Sequence, residues 1–339
     1  MEATERGVRH LPSDAAALSD QLLAGDRRAL ARAISYVEDD HPLKGDLLAR
    51  LYPHAGRAYT VGVTGAPGSG KSSLINQMVF QARREGLRVG VVAVDPTSPF
   101  TGGAFLGDRV RMLDHTLDPD VFIRSMSARG SLGGLARTTW EVMQVLDAAG
   151  YGLILVETVG VGQSEWAIAQ VADTTLLVLT PASGDSIQTI KAGVMEIADL
   201  FVVNKADLPG ADRAQAEVRA TLQLGPKTDW TPPVLPVVST EGEGIDAVWE
   251  GILGHRRFLE GAGLREERRR RQLQHELDTL LGLEVHERLQ RFLAEGPQRE
   301  ATLDRISRRE EAPTLAARRL VDLFLDNPPH GNGRRGNDG

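Results

Sequence analysis

Cysteine is absent from all 339 residues. That excludes disulfides, thiolate metal sites and cysteine nucleophiles together, and it fits a reducing compartment. No apolar run approaches the length of a membrane span, and Met1 to Asp20 lacks the apolar centre of a secretory signal. A cytoplasmic protein with no membrane partner is therefore expected. Positive charge is in short supply: 39 Lys and Arg stand against 46 Asp and Glu, for a net charge of −7. A chain of that balance has no basic footprint, so no nucleic-acid partner is expected. The eight histidines are scattered without paired ligand spacing, which argues against a metal-storage site.

What remains is ordinary globular material, 41% hydrophobic and 25% charged. Its length suits one large α/β domain with appended helices. Residues 1–55 read as an N-terminal helical extension, with Leu18, Leu22, Leu30, Ile34 and Val37 on one stripe. Residues 56–255 change character. Short Val- and Ile-rich runs (Ala58–Thr64, Arg88–Val94, Val121–Met126, Gly152–Val156, Thr174–Thr180, Leu200–Val203, Val234–Val238) alternate with helical stretches. That pattern predicts a doubly wound, mostly parallel α/β sheet with ligands beyond the carboxyl ends of its strands. Residues 256–326 return to helix, striped by Leu273, Leu277, Leu280, Leu281, Val285, Leu289, Phe292 and Leu293, with a last helix from about Pro313 to Leu325. The tail 327–339 is too poor in apolar residues to build a core, and disorder is expected there.

Directly after the first strand comes Gly65-Ala66-Pro67-Gly68-Ser69-Gly70-Lys71-Ser72, a full match to G-x-x-x-x-G-K-[ST], followed by Ser73. Glycines let such a loop curl so that its N–H groups face phosphate oxygens at a helix N-terminus. Lys71 is expected to reach the β- and γ-phosphates and Ser72 to ligate Mg²⁺. A Rossmann fingerprint fails, because its third glycine position is held by Ser73.

Asn204-Lys205-Ala206-Asp207 closes the run Leu200–Val203. The Asp207 carboxylate can accept from both N1–H and N2–H₂ of guanine, a donor pair adenine lacks, so GTP and GDP are the expected ligands. Lys205 would lie along the base, Asn204 would brace the loop, and Ser239-Thr240 would form a second wall. Glu157-Thr158-Val159-Gly160 ends another strand. There a carboxylate can hold Mg²⁺ and the Gly160 N–H can sense the γ-phosphate. Asp95 and Asp108 flank a glycine-rich loop and are further candidate metal contacts.

Glutamate at 157, Asp95-Pro96-Thr97, Gly107-Asp108-Arg109-Val110-Arg111-Met112, and the longer stretches Val156–Glu165 and Ile187–Asp207 together carry a resemblance. The chain resembles the methylmalonyl-CoA mutase-associated GTPases, the MeaB/ArgK group, from about Val8 to Leu325. The resemblance implies a chaperone that binds an adenosylcobalamin-dependent acyl-CoA mutase and gates cofactor loading from a cobalamin adenosyltransferase. It also implies protection or rescue of the radical enzyme and a homodimer made through the C-terminal helices. It further implies a third mobile switch at Ser183 to Lys191, where Asp185, Gln188 and Lys191 couple partner binding to hydrolysis, beside Lys71 and Glu157. One departure stands out: the family pattern Pro-Gly-x-Gly-Asp is here Pro181-Ala182-Ser183-Gly184-Asp185, and losing a glycine stiffens a loop.

No histidine sits in the D-x-H-x-x-G pattern that ligates cobalamin, so the chain is not itself expected to be a mutase. A nickel-delivering metallochaperone is the alternative function, and a barely hydrolysing GTP-binding scaffold a third. The run Arg265 to Arg271 reads as a solvated helix face.

Overall fold

The computed structural model describes residues 14–96, 115, 117–128, 137–158, 168–181, 194–225 and 229–327, with the side chains of 95, 96, 127, 128, 194 and 295 not described. Three helices come first: α1 (Ala15–Leu23), α2 (Arg27–Glu38) and α3 (Lys44–Leu51). Each of the first two is started by an aspartate. Asp14 accepts from the Ala17 N–H at 2.8 Å, and Asp26 from the Arg28 and Ala29 N–H groups at 2.7 and 3.1 Å. Such caps satisfy donors that the helix itself cannot. Leu18, Leu22, Leu30, Ile34 and Val37 are all buried, as the stripe predicts.

Seven strands follow: β1 (Tyr59–Gly65), β2 (Val89–Pro96), β3 (Val121–Ala128), β4 (Leu153–Thr158), β5 (Thr174–Leu179), β6 (Leu200–Asn204) and β7 (Val234–Val237). Helices α4 (Lys71–Arg84), α5 (Arg137–Ala148), α6 (Ala211–Leu224) and α7 (Ile245–Gly261) fall between and after them. The strands form one sheet in the order β3-β2-β4-β1-β5-β6-β7, and all six pairings between neighbouring strands are parallel. Strands β4, β5 and β6 are buried at every position, which is why each centres on an uninterrupted apolar run of four residues. The order reverses at β1, between β4 and β5, and that switch point is where such sheets open a ligand crevice.

One side of the sheet packs on α4 and α7 through Leu74, Ile75, Met78, Val248, Trp249 and Ile252. The other carries α5, over which the N-terminal helices form a further layer. Polar contacts fix that layer. Lys44 of α3 reaches Glu141 of α5 at 2.7 Å with both side chains largely buried, and Arg124 of β3 pairs with Glu38 of α2.

The long helix α8 (Leu264–Glu295) spans two compact units, the first ending at Gln272 and the second starting at Leu273. The second unit adds α9 (Gln298–Ser307) and α10 (Pro313–Asp326). Leu293 and Ala316 are buried within it, Phe292 and Phe324 meet edge-on at 5.6 Å, and Arg319 forks onto Glu311 while donating to Thr302.

Candidate functional site: a phosphate loop braced by a guanine loop

The loop from Gly65 to Gly70 leaves β1 at the switch point and enters α4 with Lys71 as its first residue. Gly65, Gly68 and Gly70 hold φ of 143°, 74° and 89°. Two of these glycines also answer to space. A Cβ on Gly65 would lie 2.2 Å from the Val178 carbonyl oxygen, and one on Gly70 would lie 2.2 Å from Asn204 Nδ2. The turn is closed by the Ser69 N–H donating to the Ala66 carbonyl at 3.1 Å.

Lys71 is buried, and its ammonium donates to the Gly65 and Ala66 carbonyls at 2.9 and 3.1 Å. The cation is thereby held over its own loop, where water screens it little. The next residue, Ser72, donates to Glu157 Oε1 at 2.8 Å, both groups being buried. Glu157 arrives there because β4 pairs with β1 in the register Val63↔Glu157. One step on, the Thr158 hydroxyl donates to Thr64 at 3.2 Å, so the carboxylate stands on a doubly tied strand end. A hydroxyl and a carboxylate oxygen in contact are a hard-donor pair of the kind magnesium takes.

Asn204 ends β6 and joins three loops. Its Nδ2 donates to the Ser69 carbonyl at 2.7 Å, while its Oδ1 accepts from the Ser239 N–H at 3.1 Å and the Ser239 hydroxyl at 2.8 Å. Lys205, at φ 58°, donates to the Gly68 carbonyl at 2.9 Å. Asp207 and Thr240 lie exposed nearby in sequence, within reach of a ligand from solvent.

Phosphate loop, Ser72, Ser73, Glu157, Asn204, Lys205, Asp207, Ser239 and Thr240 thus all sit at or just beyond the carboxyl ends of β1, β4, β6 and β7. Asp95 lies at the end of β2 by its backbone, with its side chain outside the described set. Gly160, Asp108, Asp185, Gln188 and Lys191 lie outside the described residues.

The Arg265–Arg271 run departs from expectation. Arg268 and Arg269 dock on the sheet domain rather than facing solvent, and Arg265 lies over the Tyr59 ring. The signal was present as a spacing. Residues 265, 268, 269 and 272 fall at i, i+3, i+4 and i+7, one face of a helix.

A parallel sheet that delivers a lysine-bearing phosphate loop, a serine–glutamate pair and an Asn-Lys-x-Asp loop to one crevice defines a P-loop GTPase. The family model of the methylmalonyl-CoA mutase-associated GTPase MeaB matches residues 30–294, and the chain belongs to that family. A Pyrococcus abyssi protein is 48% identical over 312 residues, 91% of this chain and 96% of its own. The mouse "methylmalonic aciduria type A homolog, mitochondrial" is 36% identical over 323 residues, 90% of this chain and 77% of its own. A solved structure described as a LAO/AO transport system kinase is similar with a TM-score of 0.70 at 30% identity, covering 92% of this chain and 97% of that one. The protein is a GTP hydrolase that binds guanine nucleotide. No helix among the described residues is long and apolar enough to cross a membrane.

Proposed function

We propose that the chain is a GTP-driven chaperone of an adenosylcobalamin-dependent acyl-CoA mutase, with methylmalonyl-CoA mutase the first candidate client. It gates cofactor loading from a cobalamin adenosyltransferase and protects or reactivates the mutase. The observation that carries this is the family match over residues 30–294, whose description names that mutase. The mouse relative's name, which refers to methylmalonic aciduria, supports the same client.

At the site, the loop Gly65–Ser73 takes the phosphates, with Lys71 neutralising charge that grows on the β- and γ-oxygens as the bond to the γ-phosphoryl breaks. Asp207 reads guanine, Lys205 covers the base, and Asn204 with Ser239 and Thr240 holds the pocket wall. Ser72 and Glu157 hold Mg²⁺, with Asp95 and Asp108 as further contacts. Magnesium, when bound, supplies positive charge to the phosphates. Gly160 senses the γ-phosphate. Asp185, Gln188 and Lys191 form the segment through which the client accelerates hydrolysis, Lys191 acting as an arginine finger would.

Residues 56–255 are the switching domain, 1–55 a helical extension, 256–326 the region for homodimerisation and 327–339 a tail. An exposed stripe supports the dimer. Leu273, Leu277, Leu281 and Val285 recur every four residues along α8 and are 43–57% exposed. The protein works in the cytoplasm. The test is GTP turnover with and without saturating methylmalonyl-CoA mutase and related acyl-CoA mutases. Acceleration by one of them identifies the client, and unchanged turnover with all of them removes this assignment.

A further inference from the structure

The opposite end of the sheet from the nucleotide carries a polar junction that the GTPase reaction does not use. The first turns of α8 present Arg265, Arg268, Arg269 and Gln272 on one face. Arg268 forks onto Asp199, Nη2 to Oδ2 at 2.8 Å and Nη1 to Oδ1 at 3.2 Å. Arg269 donates to the Gly56 carbonyl at 2.6 Å, and Gln272 to the Ala172 carbonyl at 2.8 Å. The Arg265 guanidinium lies 5.6 Å from the Tyr59 ring centroid.

Asp199 is the hub. It immediately precedes β6, and its Oδ2 also accepts from the Thr175 N–H at 2.8 Å. Its backbone carbonyl accepts from Trp230 Nε1 at 2.8 Å. His255 of α7 stands 3.4 Å from Oδ1 and reaches Thr174 on its other nitrogen at 2.8 Å, and Thr174 meets the Tyr59 hydroxyl at 2.5 Å. A bidentate arginine–carboxylate pair holds both position and orientation.

The strand that Asp199 starts is buried at all five positions and ends in Asn204. It therefore behaves as a strut about 16 Å long. Its far end carries the amide that grips Ser69 of the phosphate loop and the hydroxyl of Ser239.

We propose that the Arg268–Asp199 pair is a latch by which the root of α8 sets nucleotide release, acting through β6 on the guanine loop. Arg268 and Asp199 are positioning residues that touch no nucleotide. An α8 held in place keeps Asn204 seated between the phosphate loop and Ser239. An α8 displaced at its root lets β6 relax and the base loop open. The latch depends on guanine-nucleotide binding alone and is independent of which client the protein serves.

The test is the dissociation rate of a fluorescent GDP from the full-length chain, measured beside thermal unfolding. Arg268→Ala is expected to release GDP about fivefold faster, at the low end of allosteric couplings, with the Asn204 contacts chemically untouched. Arg269→Ala removes a neighbouring root contact that ends on Gly56, outside β6, and is expected to release GDP at the wild-type rate. Arg268→Lys keeps the charge without the fork and is expected to fall between, and it decides the matter where Arg268→Ala does not fold. Wild-type release from Arg268→Ala, or from Arg268→Lys in that case, overturns the latch. Equal acceleration in Arg268→Ala and Arg269→Ala also overturns it, because the effect would then come from loosening α8 as a whole.

Discussion

Ser72 donates its hydroxyl proton to Glu157 Oε1 across 2.8 Å, and both residues are almost wholly buried. A carboxylate is withdrawn from water only where compensating partners meet it. One such partner here is the serine hydroxyl, and in the proposed loaded state magnesium is another. Glu157→Gln keeps the shape and the hydrogen-bond acceptor while removing the charge. Its kcat for GTP is expected to fall by about 10²-fold, the scale of losing one preorganised electrostatic group. Folding stability should change little, because Ser72 still has an acceptor. A magnesium titration of single-turnover hydrolysis checks the origin of the loss, since the variant should need more metal to reach its maximum.

Asp207 is exposed beyond Asn204, with both of its oxygens within reach of a ligand from solvent. Asp207→Asn replaces one acceptor with an N–H₂ donor. Guanine then loses a charge-assisted pair, at a cost of about 1.5–3 kcal/mol. Xanthine, which carries a carbonyl where guanine carries its amine, gains a partner. Competition of GTP and XTP for the variant by fluorescence displacement should show the preference inverted, while ATP stays excluded. Unchanged discrimination would move base recognition away from this residue.

How much of this was legible beforehand depends on how local the cause is. The seven apolar runs match the strands to within two residues at either end, because a parallel sheet buries both faces and leaves runs such as Leu153–Val156 with no polar interruption. The phosphate loop and Asn204 were legible because glycine spacing and loop position are set within a few residues. Arg268 was not. A helical arginine can snorkel or dock, and only the tertiary placement of Asp199, 69 positions earlier, decides between them. The break at Gly296-Pro297 that separates α8 from α9 is local again, since Gly-Pro is a turn signal.

The glycines of the phosphate loop are not equivalent. A methyl on Gly65 would press on the Val178 carbonyl, which is backbone of β5 and paired in register with Gly65 itself. A methyl on Gly68 meets nothing within 4 Å and suffers only from its φ of 74°. Gly68→Ala should therefore cost about 1–2 kcal/mol of stability, the left-handed penalty alone. Gly65→Ala should cost that and about 1–3 kcal/mol more for overpacking. Urea unfolding of the two variants provides the comparison, and equal destabilisation would mean that β5 yields where its pairing says it should not.

His255 gives the junction under α8 a pH signature. It is buried between Thr174, Asp199, Trp230 and Phe258. Burial holds its imidazole below the ordinary value of 6.5, Arg268 pushes the same way, and the carboxylates of Asp199 and Asp173 only partly oppose them. An unfolded histidine takes up its proton as pH falls through about 6.5, while the folded one stays neutral until lower pH. The unfolded state therefore binds more protons across that interval, and its share of stability is present above about pH 6.5 and lost below it. Thermal unfolding followed from about pH 7.5 to about 5.5 should show Tm falling in the lower half of the range. His255→Gln still offers Thr174 and Asp199 a polar partner but carries no titrating proton, so its Tm should fall less steeply over the same interval. Parallel slopes in the two proteins would assign the acid sensitivity to other groups. A flatter slope would place it under Asp199, at the start of the strand that ends in the guanine loop.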